Sequence, residues 1–194
     1  MTSAQRGHEV RQRLLDAAAE LIAERGWAAV STRAVAERAG LASGLVHYHF
    51  ASVQALLSQA ALAVMHRVAA ETGPLLAGVG DRSELAEALA ASLDAYSGTD
   101  PVSVLFVETY LAATRDPELR TGVAEVIVQF RAVLATRLAE LGVVEPESTA
   151  AVLGAAMDGL VLQRALDPKL SADAVRPVIR RTLVTTGRQE EDGR

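Results

Sequence analysis

The 194 residues contain no cysteine, which excludes disulfides and thiolate metal sites and fits a reducing cytosol. Aromatic residues are scarce at 4%, while Ala and Leu dominate a composition that is 50% hydrophobic. A sheet would favour Val, Ile, Tyr and Phe, so the mixture suits close-packed helices. No apolar run approaches the roughly 20 residues of a membrane span. The longest near the C-terminus, Ala150 to Met157, is cut off at Asp158. Met1 to Glu9 is polar and lacks the apolar centre of a secretory leader, so a cytoplasmic protein with no membrane partner is expected. No nucleophile–base–acid set, Gly-rich phosphate loop or metal-spaced cluster is visible. No catalytic residue, metal or cofactor is therefore expected.

Lysine is missing as well: none occurs before Lys169, and the net charge is −5. The deficit is uneven. Residues 1–60 hold six arginines against five carboxylates, a net +1, and the other 134 hold 13 basic against 19 acidic side chains, a net −6. The asymmetry has the direction a nucleic-acid binder needs, but its size makes no case by itself.

What the chain does have is helical periodicity with clear punctuation. Val10, Leu14, Ala18, Leu21 and Ile22 recur at helical spacing, and Gly26 ends the pattern. Trp27 and Val30 follow as core anchors, with Ser31 or Thr32 as the N-cap of a short second helix through Val35, Ala36 and Ala39 to Gly40. After a tight turn comes a third segment, Gly44 to Phe50. From Ser52 a fourth helix carries Val53, Leu56, Leu57, Ala60, Val64 and Val68 as far as a break that begins at Gly73-Pro74 and is extended by Gly78 to Ser83. Later helices are predicted over Glu84 to Tyr96, Val102 to Arg115, Pro117 to Leu141, Ser148 to Leu166 and Ser171 to Thr186, with a stop at Asp167-Pro168 and a polar tail from Gly187. The expectation is an all-α chain of about nine helices.

Ser31 to Phe50 has helix-turn-helix logic. Two short helices crossing steeply need small residues where they touch, which Ala36 and Ala39 supply, and Gly40 can adopt the left-handed turn between them. Leu41, Val46 and Phe50 would point inward. Ser43, Gly44, Leu45, His47, Tyr48 and His49 are left to offer hydroxyls, imidazoles and a close-approach glycine to phosphates and base edges.

Read in order, the amphipathic first helix, Gly26-Trp27, Ser31-Thr32-Arg33, Val35-Ala36, Ala39-Gly40-Leu41, Gly44 and Tyr48-His49-Phe50 resemble the DNA-binding domain of the TetR (tetracycline repressor-like) family over about Arg11 to Leu57. The resemblance implies that Thr32 and Arg33 bind backbone phosphate. It places Ser43, Gly44, Leu45 and His47 against the major groove, and has Tyr48 and His49 contacting phosphate, base edge or both. Two positions depart from the family. Val53 stands where a phosphate-clamping lysine is frequent, and His47 where a tyrosine is common. Helix N-terminal amides and Ser52 are the available substitutes, and a shallow salt dependence is expected.

Other readings of these residues are blander. His47 and His49 point apart on a helix and make a poor chelate. Trp27 reads as core, Arg38 as undecided between DNA and a solvated face, and Glu108-Thr109-Tyr110 as lining a pocket or lying on one side of its helix. His66 is either a ligand contact or a partly buried or solvated side chain.

The expected organisation is a helix-turn-helix DNA-binding domain over 1–55, joined by helix 4 to a helical ligand-binding and dimerisation domain over 56–194. Small-molecule effector contacts are sought at Met65, His66, Leu93, Tyr96, Phe106, Thr109, Tyr110, Phe130 and Met157, a mostly apolar set with a few polar tips. Leu89 and Val126 belong to the same group. Helices 8 and 9 resemble the family's dimer-forming pair and place Leu153, Met157, Leu160, Val161, Val178, Ile179 and Leu183 at a two-fold interface; the alternative is that helix 8 is a buried core helix. The function expected is a homodimeric repressor on a palindromic double-stranded DNA operator, released by a small, largely apolar ligand. The alternatives are a regulator without an effector, an activator, or a helical scaffold or enzyme.

Overall fold

The computed structural model describes residues 2–167 and 169–185. Over those residues it contains nine α-helices, one 3₁₀ turn and no strand, the all-α fold expected from composition. The chain forms two compact units, Met1–His66 with Val104–Ala124, and Arg67–Ser103 with Glu125–Arg194.

In the first unit, α1 (Ser3–Arg25) begins well ahead of its first large apolar residue, Val10. A capping box sets that start: the Thr2 hydroxyl accepts from the Gln5 amide at 3.2 Å, and the Gln5 side chain accepts from the Thr2 amide at 2.6 Å. Gly26, at φ 77° and ψ 157°, ends α1 and leads into a 3₁₀ turn at Trp27–Ala29. Helix α2 (Thr32–Ala39) is capped by the Ser31 hydroxyl, which accepts from the Ala34 amide at 3.3 Å, and stops at Gly40 in the left-handed region. Helix α3 (Ser43–His49) follows. Helix α2 packs on both α1 and α3, and Val35, Ala36, Ala39, Val46 and Phe50 are buried. Leu41, expected inward, is half-buried, and so is Trp27, since the 3₁₀ turn has no fully buried residue.

Helix α4 (Val53–Ala77) passes through the break expected at Gly73-Pro74. A proline removes one backbone donor and crowds the carbonyl four residues earlier. Pro74 lies in the final turn of α4, so the lost donor and the crowding fall at the carbonyl of Ala70, and the helix continues for only three residues beyond it, ending ahead of Gly78. The remaining helices are α5 (Arg82–Asp94), α6 (Pro101–Ala113), α7 (Pro117–Glu140), α8 (Pro146–Arg164) and α9 (Ala172–Thr185), each within two residues of expectation at every bound that can be compared. Thr186, the tail from Gly187 and Pro168 lie outside the described residues.

The second unit is organised around α5, which packs against α8 and α9. Leu85, Leu89 and Leu93 share a core with Leu134 and Leu138 of α7, Leu153 of α8, and Ile179 and Leu183 of α9. Each fully buried leucine contributes about 1.5–3 kcal/mol by leaving water. Three arginines then tie helix ends together. Arg82 donates from Nε to the Leu141 carbonyl at 2.9 Å and from its fork to the Gly142 carbonyl; Arg137 and Arg164 donate to the carbonyls of Val79 and Leu93. Arg82 and Arg137 thereby reach carbonyls just past the ends of α7 and α4, while the Leu93 carbonyl also accepts from the Tyr96 amide at 3.1 Å.

The joint between α5 and α6 is densely hydrogen-bonded. The Asp100 carboxylate accepts from the Ser97 amide at 2.8 Å, the Ser103 amide at 3.0 Å, the Val102 amide at 3.1 Å and the Ser103 hydroxyl. Burial raises the carboxyl's pKa, but the hydrogen bonds from Ser103 and Ser97 outweigh it and hold the group below its ordinary value. Gly98, at φ 82°, brings the loop onto the end of α8: a Cβ there would lie 2.5 Å from the Ala165 nitrogen and 2.7 Å from the Val161 oxygen.

Two measurements check this joint. Gly98→Ala is expected to destabilise by more than about 2 kcal/mol in denaturant melts, since both the backbone angle and the contact oppose it. The depressed Asp100 carboxyl contributes stability that is complete above its unfolded value and lost as pH falls through the folded one. Asp100→Asn should therefore be less stable than the parent at neutral pH, with the gap narrowing below about pH 4.

Candidate DNA-binding surface

The geometry of the helix-turn-helix starts with its turn. The Gly40 amide donates to the Glu37 carbonyl at 3.1 Å and the Leu41 amide to the Ala36 carbonyl at 2.9 Å, closing α2 through a glycine at φ 64°. Arg13 reaches across from α1 and donates to the Ala39 carbonyl, sealing the same turn. Arg11 lies 5.2 Å over the Phe50 ring and donates to Gln59 of α4, which fixes the far end of α3. Periodicity did not single out Arg11 or Arg13 for these roles, because their partners are 26 to 48 residues away in sequence.

Arg38 is resolved by the same accounting. Its guanidinium pairs with Glu24 at 2.6 Å and with Glu20 at 3.0 Å, fastening α2 to α1. The hydrogen bond to Glu24, reinforced by the one to Glu20, holds Arg38 above its ordinary pKa, and Glu24 is lowered in return by its hydrogen bond to Arg38. Arg38 is therefore a structural clamp. Three of the six arginines in residues 1–60 now have work inside the unit. Arg33, on the first turn of α2, is exposed and makes no hydrogen bond or ion pair among the described residues.

Helix α3 is held by buried Val46 on one side and presents the rest. Ser43, Gly44, His47 and Tyr48 are exposed, Leu45 and His49 half-buried, and Thr32 at the start of α2 half-buried. Tyr48 is 82% exposed, a large apolar ring left in water, with its edge against His49 at 5.0 Å and 89°. A Cβ on Gly44 would meet nothing within 4 Å, so no contact inside the chain demands glycine there. Glycine inside a helix costs about 0.5–1 kcal/mol relative to alanine. Its presence makes sense if something outside the chain approaches closely. Ser52, considered as a phosphate donor, uses its hydroxyl oxygen to accept from the Ala55 amide at 3.0 Å. His47 and His49 belong to no cluster of three metal-binding side chains among the described residues.

Two polar contacts hold the corner between α1 and α2. The Trp27 amide donates to Glu108 of α6 at 2.7 Å, and the Trp27 indole N–H donates to Gln54 of α4 at 2.9 Å. Thus Glu108 caps a backbone corner, while its neighbour Thr109 is buried and returns its hydroxyl to the Leu105 carbonyl at 2.6 Å.

The remaining candidates divide between the units. In the first, Met65 is buried, His66 exposed, and Phe106 and Tyr110 half-buried. In the second, Leu93 is buried within the core, and Phe130 and Met157 pack against it. Burial, then the charges of Glu71 and Asp100, raises the Tyr96 phenol above its ordinary pKa, so it is a neutral donor. Of the dimer candidates, Leu153, Ile179 and Leu183 are buried in the unit's own core, and Met157, Leu160 and Val161 pack against it. Only Val178 is exposed, at 53%. The open apolar face of α8 is a neighbouring one, carrying Val152 and Leu162, with Leu166 just past the helix.

An exposed recognition helix locked onto a short helical base defines a helix-turn-helix DNA-binding regulator. The chain belongs to the TetR family: residues 14–60 match the family model described as bacterial regulatory proteins, tetR family, and residues 80–186 the tetracyclin repressor-like C-terminal domain. It is 28% identical to an HTH-type transcriptional regulator of Mycobacterium tuberculosis, over 96% of this chain and 98% of that one. A transcriptional regulator from Streptomyces coelicolor is 31% identical and superposes with a TM-score of 0.77, covering 93% of this chain and 99% of the other. The multidrug binding protein EbrR, solved with imidazole, is 33% identical with a TM-score of 0.68, over 90% and 89% of the two chains. The family consists of transcriptional regulators, not enzymes.

Tyr48→Ala should weaken binding to a cognate duplex by about 1–3 kcal/mol, roughly five- to 150-fold, with the melting temperature unchanged. Arg33→Ala should weaken binding to all duplexes alike and lower the salt slope by about 1. Fluorescence anisotropy across a salt series measures both.

Proposed function

We propose that the chain is a homodimeric repressor that holds a palindromic operator and releases it when a small, largely apolar molecule binds. The observation that carries the DNA half of this reading is the surface of α3, where an 82% exposed tyrosine stands beside a glycine that the fold itself does not need. The division of labour we assign is DNA reading by residues 1–55 and sensing and pairing by residues 56–194. With lysine absent from the reader, Thr32, Arg33, Ser43, Gly44, Leu45, His47, Tyr48 and His49 make the contacts, in the cytoplasm where the DNA lies.

Pairing is supported by an apolar face without a partner in the protomer. Val152 is 65% exposed, Leu162 49% and Leu166 84%, and Ala155 and Gly159 lie between them at helical spacing. A Cβ on Gly159 would meet nothing within 4 Å, which leaves room for a second helix to come close. Two copies meeting on α8, with Val178 of α9 beside it, give the two-fold arrangement that half-sites roughly 34–36 Å apart require. Release is the thermodynamic partner of binding: an effector that favours a different spacing of the recognition helices must lose affinity when operator is bound. The imidazole complex of a relative supports a sensor of small molecules.

The test is a mobility shift on the DNA upstream of the gene, with the oligomeric state followed by light scattering. Leu162→Asp is expected to give a folded monomer whose operator affinity falls at least tenfold, of the order that losing one of two linked half-sites produces. A Leu162→Asp chain that stays dimeric would remove α8 as the interface. Effectors found by thermal shift should dissociate the wild-type complex, and saturating effector with unchanged operator affinity would end the release scheme.

A further inference from the structure

The corner that aims the helix-turn-helix is capped from a distance. Gly26 has no side chain to offer its own turn, and the 3₁₀ turn at Trp27–Ala29 has no local side-chain cap. Its first amide would be an orphan in a half-buried position. The acceptor comes instead from Glu108, 81 residues later, whose carboxylate lies 2.7 Å from the Trp27 nitrogen. Both carboxylate oxygens lie 3.5 Å from where a Gly26 Cβ would stand. The indole of the same residue donates to Gln54 at 2.9 Å. Trp27 thus bears one tie to α6 and one to α4, two helices whose residues are shared between the compact units.

We propose that Glu108 is a positioning residue for DNA recognition: through the Trp27 amide it sets the angle at which the chain leaves α1 for α2 and α3. Gln54 holds the other side of the corner. The proposal rests on the DNA-binding reading of α3 and adds the element that aims it. Any displacement of α6 or α4 must either break a tie at Trp27 or carry the corner with it. A hydrogen bond is directional and short, so a shift of about 1 Å is enough to lose it. A local serine or aspartate cap would have satisfied the amide without linking it to either helix.

Trp27 is the only tryptophan in the chain, so indole fluorescence reports on this corner alone. Glu108→Ala is expected to shift Trp27 emission and speed exchange of its amide. It should weaken operator binding about tenfold, as loss of a charge-assisted hydrogen bond does, while leaving the dimer intact. Glu108→Gln keeps an acceptor oxygen and should stay within about twofold of wild type on every readout. Gln54→Ala should shift the emission and leave the Trp27 amide protected. If Glu108→Ala bound operator as wild type did, or if Glu108→Gln failed as badly as Glu108→Ala, the positioning role would be overturned. If the wild type itself bound no upstream DNA, the operator reading would fail separately. The corner would then be judged by fluorescence and amide exchange, and unchanged values in Glu108→Ala would overturn it.

Discussion

A helix begins with amides that its own ladder cannot satisfy, and a chain of many helices with short joints meets that requirement at every junction. Most of the junctions described above meet it locally. Thr2, Ser31, Ser52 and Asp81 each accept from the amide of the third residue in the helix they start, and Asp100 gathers five donors at the head of α6. The corner after α1 is different, because Gly26 offers nothing and the cap is borrowed from α6. Local caps set where several of the helices begin, and the cap borrowed from α6 holds the corner that leads to the DNA-reading pair.

The charge distribution follows the same logic. A module with no lysine has few cations, and the fold uses several of them inward. Arg11 covers Phe50, Arg13 seals the α2–α3 turn, and Arg38 clamps α2 to α1 through Glu20 and Glu24. What faces outward is a tyrosine, two imidazoles, hydroxyls and Arg33, a surface better suited to reading base edges than to gripping phosphate. Recognition by such a surface depends more on how accurately the helix is held than on net charge, which is why so many contacts in this unit are given over to holding it.

Much of this was legible in the chain itself. The ordered series from Gly26 to Phe50 marked the helix-turn-helix because small residues, a left-handed glycine and a buried Val46 are local demands of that turn. The helix bounds were legible for the same reason, apart from two. The Thr2–Gln5 box started α1 early, and α4 ran three residues past Pro74 before it ended. The outward face of α8 was not legible. That helix is apolar round most of its circumference, so periodicity could not separate Leu153, which faces its own core, from Val152, which faces out.

By itself, then, the amino-acid order determined the all-α class, the positions of the nine helices and the residues offered by α3, since each follows from interactions within a few residues of chain. Tertiary structure alone decided that Arg38 is a clamp, that Glu108 caps the Trp27 amide, and that the open side of α8 carries Val152 and Leu162. Those outcomes depend on which groups meet across 14 to 81 residues, or on which side of a uniformly apolar helix is already occupied. No pattern of period 3.6 encodes either one.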